Sequence, residues 1–189
     1  MSAPSFPGPI ATRMSDFSDE YMAFVEAQLE ADLLEVPDRI LGVLRMTDQL
    51  VQGFQVSQLG HGLQTATLAE RAGADQDMVV AALCHDMGKV ISNANHPAIA
   101  AEMIRPWVSE DAYWVVKVHQ DFEGMHYYAR VGLDPMMRLK HRDHPCYGLA
   151  ERFADEWDQN AFDPDYPTPP LEHFEPLVRE VFSRPPRRG

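Results

Sequence analysis

The chain has 189 residues, a formal net charge of −13 and 45% hydrophobic residues. This length fits one domain with a substantial core, and the apolar fraction excludes a disordered chain. The acidic balance argues against a nucleic-acid partner, because phosphate binding needs concentrated Lys and Arg, and the only basic cluster is Arg184, Arg187 and Arg188 near the end.

The predicted elements are helices throughout. Residues 1–14 are rich in Pro, Ser and Gly and predict a flexible arm, and residues 184–189 predict a flexible tail, so the folded domain spans 15–183. Sustained period-two alternation is absent, which predicts an all-α fold. Apolar periodicity and helix breakers place helices after the N-cap Ser18, from Pro37, and at about 55–72, 76–87, 96–105, 110–121, 135–140, 145–160 and 172–182.

The expected cellular compartment depends on whether the sequence contains membrane spans, a signal peptide or a disulfide framework. No apolar stretch approaches the ~20 residues that span a bilayer, and the N-terminus has no signal-peptide pattern. Two cysteines, Cys84 and Cys146, are too few for a disulfide framework. We therefore expect a cytoplasmic protein without a membrane partner.

The segment that carries chemistry is Cys84-His85-Asp86-Met87-Gly88-Lys89. Adjacent His and Asp point about 100° apart on a helix, so both rarely serve one apolar core, but at a helix end they can chelate a cation. Imidazole and carboxylate suit Fe, Mn or Zn, and the two oxygens of Asp86 could bridge two metals. His61 lies 24 residues before His85, the return distance of an antiparallel helix pair.

In this pattern, His…His-Asp-x-Gly-Lys, the sequence resembles the HD-domain superfamily over about residues 55–160. The resemblance implies a single HD-domain helical bundle and a last ligand Asp on a later helix. Asp155 and Asp158 compete for that role. We favour Asp158, because in the oxygenase members this Asp follows an aromatic residue, as in Trp157-Asp158.

Two-metal members of the superfamily add two histidines between the HD pair and the last Asp. His96, in Asn95-His96-Pro97, and His119, in Val118-His119-Gln120, stand in those places. The resemblance therefore implies a two-metal ligand set of His61, His85, Asp86, His96, His119 and Asp158.

The superfamily implies two chemistries, and the ligand number does not separate them. One is a two-iron oxygenase with a mixed-valence Fe(II)/Fe(III) centre, which cleaves a C–C or C–P bond of a small molecule with O2. The other is a phosphohydrolase that holds Mn, Co, Mg or Fe and acts on a phosphate ester. Residues 57–64 and 73–83 resemble the phosphonate-cleaving oxygenases, so we favour the oxygenase. A helical binding protein with a vestigial site is a third reading.

The predicted substrate pocket departs from those oxygenases. Val51 and Phe54 stand where they have a gating Tyr and Glu, and Glu123 and Asp155 stand where they have basic residues. Acids in these positions oppose a phosphonate and favour a neutral polyol or a cationic group. The resemblance also implies that Lys89 contacts substrate in either chemistry, and Gln58 and His126 complete the substrate candidates.

Overall fold

A computed structural model describes residues 5–187, so residues 1–4 of the predicted arm and 188–189 of the predicted tail lie outside the described part. Within 5–187 the chain forms helices and no strand, which confirms the all-α prediction. The α-helices are α1 Asp19–Leu33, α2 Val36–Thr47, α3 Gln58–Arg71, α4 Gln76–Cys84, α5 His96–Ile104, α6 Glu110–Tyr127, α7 Tyr147–Arg152 and α8 Leu171–Phe182. No helix in this part of the chain is long and apolar enough to cross a membrane.

Side-chain caps fix where four of these helices begin. Ser18, Ser57, Asp75 and Ser109 each accept a hydrogen bond from a backbone N–H three residues further on. Each cap satisfies one of the amides that a helix leaves free in its first turn. The caps of α3, α4 and α6 therefore set the rotational phase of the helices that carry or precede His61, His85 and His119.

The core is organised around α4, whose residues 78–84 are all buried. This helix packs against α3, α6 and α8, and α5 packs along α6. A helix that is apolar on every side can only sit in the middle of a bundle. The C-terminal end of α4, where the HD pair lies, is therefore in the interior.

α4 is shorter than predicted, because it ends at Cys84 and not at Met87. Asp86 has φ −102° and ψ 0°, a sparsely populated conformation common in active sites, and a 3-10 turn, Met87–Val90, follows. A continuing helix would point His85 and Asp86 in different directions. Ending the helix there lets both side chains reach the same interior space.

Two other predicted helices also differ from the structure. α6 continues to Tyr127 and does not end near 121. The missing Cβ of Gly124 in its last turns leaves room for the ring of Tyr128. The predicted helix at 135–140 is a 3-10 turn, Met137–His141.

The predicted helix at 145–160 is divided into three pieces. α7 is followed by a π-turn, Phe153–Trp157, and by a 3-10 turn, Asp158–Asn160. Phe153, Trp157 and Asp158 are all buried. π-turns widen a helix locally and are frequent at functional sites. Here the widened turn directs Trp157 into the core and Asp158 into the cluster of histidines.

The two ends of the described chain make several contacts. The ring of Phe6 lies 5.1 Å from that of Tyr21 in α1, and Nη1 of Arg184 lies 2.5 Å from Oδ1 of Asp77. The backbone N–H of Arg187 donates to the carbonyl oxygen of Pro106 at 2.8 Å. The flexibility of the arm and of the tail remains a prediction.

Gly88 of the HD motif is expected to be intolerant of a side chain. A Cβ there would lie 2.9 Å from Cα of His96 and closer still to its carbonyl oxygen, which are backbone atoms. We expect Gly88→Ala to lower the free energy of unfolding by about 2 kcal/mol, because α5 must move. Gly42→Ala is the control, since nothing lies within 4 Å of its Cβ position. Urea denaturation of both variants measures their free energies of unfolding. A Gly88→Ala variant as stable as Gly42→Ala would contradict the expectation.

Candidate metal centre

The first group of ligand-type side chains consists of His61, His85, Asp86 and Asp158. Nε2 of His61 lies 3.1 Å from Nε2 of His85 and 3.0 Å from Oδ1 of Asp158. Oδ2 of Asp86 lies 3.5 Å from both imidazole nitrogens, and all four side chains are buried. Donors held about 2.1 Å from one cation lie about 3–3.5 Å apart, so this spacing suits a single ion.

The second group consists of Asp86, His96 and His119. Oδ1 of Asp86 lies 3.0 Å from Nε2 of His96 and 3.6 Å from Nε2 of His119, and the two nitrogens are 3.2 Å apart. The two oxygens of Asp86 therefore face different groups. The structure brings all six predicted ligands together in one buried cluster, in which Asp86 belongs to both groups and His85, His119 and Asp158 also lie close enough together to hold an ion.

A backbone carbonyl fixes the orientation of each of the four imidazoles. Nδ1 of His85, His96 and His119 lies 2.7–2.9 Å from the carbonyl oxygen of the residue three positions earlier. Nδ1 of His61 lies 3.0 Å from the carbonyl oxygen of Ala161. A carbonyl can only accept, so each Nδ1 carries a proton, and Nε2 is the nitrogen of each ring that is left to bind a cation.

Several polar atoms of the cluster have no protein partner. Oδ1 of Asp86 and both carboxylate oxygens of Asp158 are buried without a hydrogen bond to described residues, and two pairs of Nε2 atoms face each other. Burial would raise the pKa of both carboxyls, but cationic neighbours, namely imidazoles that carry a second proton and, for Asp86, also Lys89, hold the pKa of Asp86 and of Asp158 well below the ordinary value in the absence of metal. Ionised carboxylates beside unprotonated nitrogens are the donors that a divalent metal needs.

The model of the HD domain family matches residues 59–160, which include all six residues of the two groups. The chain belongs to the HD domain family. A search of curated proteins finds no match. Membership of this family, together with the buried His and Asp cluster, indicates a metal-dependent enzyme.

Lys89 of this HD domain lies beside the metal groups, as the motif suggested. Its ammonium donates to Oδ2 of Asp86 and, at 3.0 Å, to Oε1 of Gln58. Gln58 is buried at the start of α3, and its Nε2 has no hydrogen-bond partner in the described chain. Lys89 thus orients the shared carboxylate, and Gln58 in turn orients Lys89.

A cavity of about 720 Å³ lies beside the second group. Among the predicted substrate residues it is lined by Lys89, Glu123 and His126, and of the metal groups by His96. Its other lining residues are two aromatic rings from the loops, a tyrosine and four amides: Phe54, Phe162, Tyr127, Gln52, Asn93, Gln120 and Gln159. The ring of Phe162 also stacks on His61 at 4.3 Å. The HD domain therefore offers a mixed polar and aromatic pocket next to its metal groups.

Two predicted substrate residues lie outside the cavity lining. Gln58 is buried behind Lys89, and Asp155 accepts hydrogen bonds at 3.0 Å from both terminal nitrogens of Arg138 and pairs with His126 at 2.9 Å. Burial would raise the pKa of Asp155, but Arg138 and His126 hold it below the ordinary value. The charge of Asp155, which stands where the oxygenases have a basic residue, is thus neutralised by Arg138. The sequence did not indicate this role of Arg138.

Glu123 lies one helical turn after His119 and faces the cavity. Burial and the neighbouring carboxylates of Asp158 and Asp86 raise the pKa of Glu123 to about 7, from an ordinary value of 4.5. The folded chain without metal therefore holds this proton between about pH 4.5 and 7, where the unfolded chain has released it. Glu123 accordingly lowers stability as the pH rises through that window.

We expect Glu123→Gln to stabilise the metal-free protein at pH 8 and to leave it unchanged at pH 4. The gain at pH 8 is expected to be about 3 kcal/mol, since the charged form carries the full cost there. Glu156→Gln, at an exposed position, removes the same charge and should show no such difference. Urea denaturation at both pH values measures the gain, and a gain at pH 4 equal to that at pH 8 would contradict it.

Proposed function

We propose that this HD domain is a di-iron oxygenase that uses O2 to cleave a C–C or C–P bond of a small polar substrate. The observation that carries the proposal is the place of the second group, two histidines and one carboxylate, which adjoins the cavity through His96. Two His and one carboxylate with open positions is the ligand set typical of non-haem iron oxygenases.

The residues divide unequally between the two ions. His61, His85, Asp158 and Oδ2 of Asp86 would hold the first, in a fully buried position. His96, His119 and Oδ1 of Asp86 would hold the second, which leaves more of its coordination sphere for a ligand from the cavity. Bound iron in this place supplies redox chemistry with O2 that no side chain of the chain can perform.

The cavity supplies what a small polar substrate needs for binding. Its amide side chains can exchange hydrogen bonds with hydroxyl groups, and the rings of Phe54 and Phe162, 4.8 Å apart, cover part of the site with apolar surface. Glu123 in the wall opposes a phosphonate dianion. Of the two bonds, C–C is therefore the one we favour.

A phosphohydrolase that acts on a phosphate ester is the second candidate. The observation in its favour is that Lys89, a cation, lines the cavity. Its charge is already matched by Asp86, however, and Glu123 adds a negative charge to the same wall. Among the described lining side chains a phosphate therefore finds no free cation, so in this candidate the bound metal ions would have to hold it.

Metal analysis of protein purified without oxygen tests the proposal. The oxygenase should contain two irons per chain, and partial oxidation should produce the electron paramagnetic resonance signal of a mixed-valence Fe(II)/Fe(III) pair. His96→Ala should lose that signal and retain about one iron. Protein that binds Mn or Mg in preference, hydrolyses a model phosphate ester and loses that activity on His85→Ala would overturn the oxygenase and establish the phosphohydrolase.

A further inference from the structure

The two charged side chains in the wall of the cavity, Lys89 and Glu123, differ in whether they have a protein partner. Apart from two histidines, Lys89 and Glu123 are the basic and acidic side chains among the described lining residues. Lys89 is bonded to Asp86 and Gln58. Glu123 has neither an ion pair nor a hydrogen bond with any residue in the described range, so it is the uncompensated charge of the cavity.

The nearby acid Asp155 differs from Glu123, because its charge is compensated by protein side chains. Asp155 is held by both terminal nitrogens of the buried Arg138 and by His126. Glu123, in contrast, faces the cavity from α6 with amides and the ring of Tyr127 as fellow lining residues. The fold thus supplies a cation to the carboxylate outside the cavity and none to the carboxylate inside it.

A cation is the partner that the carboxylate of Glu123 lacks in the cavity. A partly buried carboxylate is stabilised by a cationic hydrogen-bond donor more strongly than by a neutral one. An ammonium group also suits the face of an aromatic ring such as that of Tyr127.

We propose that Glu123 binds an ammonium group of the substrate, and that the substrate class is therefore small amino alcohols. This inference rests on the proposed function, since it takes the cavity as the substrate site of the metal enzyme. Glu123 is one helical turn, about 5.4 Å, beyond His119, so one small molecule can reach both Glu123 and the metal groups. Gln120 and Gln159, which also line the cavity, are suited to bind its hydroxyl groups.

Serinol and glycerol are matched probes, because serinol has an ammonium group where glycerol has its central hydroxyl. Their dissociation constants can be measured by isothermal titration calorimetry on the metal-loaded protein without oxygen, so that no turnover occurs. We expect serinol to bind at least about tenfold more tightly than glycerol, as hydrogen bonds to charged partners allow. In Glu123→Gln the two should bind within about twofold of each other.

Three results would overturn the proposal. These are equal binding of serinol and glycerol to the native protein, an equal preference in native protein and Glu123→Gln, and loss of metal from Glu123→Gln, which would make Glu123 a ligand. Glu156→Gln, a surface variant with the same charge change, should keep the native preference. The preference for serinol is measured without oxygen and with whichever metal is bound. The Glu123 proposal can therefore be wrong while the oxygenase proposal is right, and the oxygenase proposal can be wrong while the Glu123 proposal is right.

Discussion

Asp86→Ala is expected to abolish both metal sites, whereas His96→Ala should abolish one. Each oxygen of Asp86 faces a different group, so its loss removes a ligand from both ions. His96 belongs only to the second group. Metal content should therefore fall from about two ions per chain to nearly none in Asp86→Ala, and to about one in His96→Ala.

The matched control for these variants is Asp155→Asn. Asp155 is a nearby acid whose oxygens are bound by Arg138, so its replacement should leave two ions in place. Asp158→Asn changes an acid in the first group and should lose the first ion. Plasma emission spectrometry of the four purified variants gives the numbers. Retention of both ions by Asp86→Ala would show that its carboxylate is not shared.

Removal of the metal ions should cost the protein much of its stability. Each ion binds the folded chain only, and at a free concentration a thousandfold above its dissociation constant it adds about 4 kcal/mol. Two ions together are therefore expected to raise the melting temperature by 15 °C or more. The physical cause is the set of buried carboxylate oxygens on Asp86 and Asp158 that have no other partner in the described chain.

Differential scanning calorimetry with and without a chelator measures this effect. The chelator should lower the melting temperature of the native protein and leave that of Asp86→Ala unchanged, since the variant has no metal to lose. An unchanged melting temperature in native protein that has verifiably lost its metal would contradict the expectation. It would mean that the ionised cluster is stable by itself.

The parts of the site that could be predicted are those in which residue type determines the chemistry. His61, His85, Asp86, His96 and His119 stand at spacings that the helices of the bundle bring together, and all five belong to the buried groups that could hold an ion. The family match covers the same segment. The positions of the helices followed from apolar periodicity and from caps such as Ser18.

The choice between Asp158 and Asp155 could not be made from helical spacing. The two residues lie three positions apart, so on a regular α-helix they would lie on nearly the same face. The π-turn Phe153–Trp157 changes the phase between them, so that Asp158 enters the cluster and Asp155 meets Arg138. A single widened turn has no signature in hydrophobic periodicity, and the order of the residues around Trp157 was the only indication.

Arg138 was missed for a related reason. It lies in a run with Lys140 and Arg142, and composition alone makes all three look like exposed charges. Arg138 is only 5% exposed, because it pairs with Asp155 and lies over the ring of Phe122. Which member of a basic run is buried depends on contacts between distant segments, and these are not visible in the sequence.

The carbonyl partners of the histidines also differ in how far along the chain they lie from the imidazole that they orient. Three of the imidazoles take their partner from their own preceding turn, but His61 depends on Ala161, a hundred residues later. The orientation of His61 therefore depends on a contact between distant segments, whereas the other three imidazoles are oriented by their own local turns. We expect a change that loosens the segment around Ala161 to disturb His61 and to leave the orientation of His96 and His119 intact.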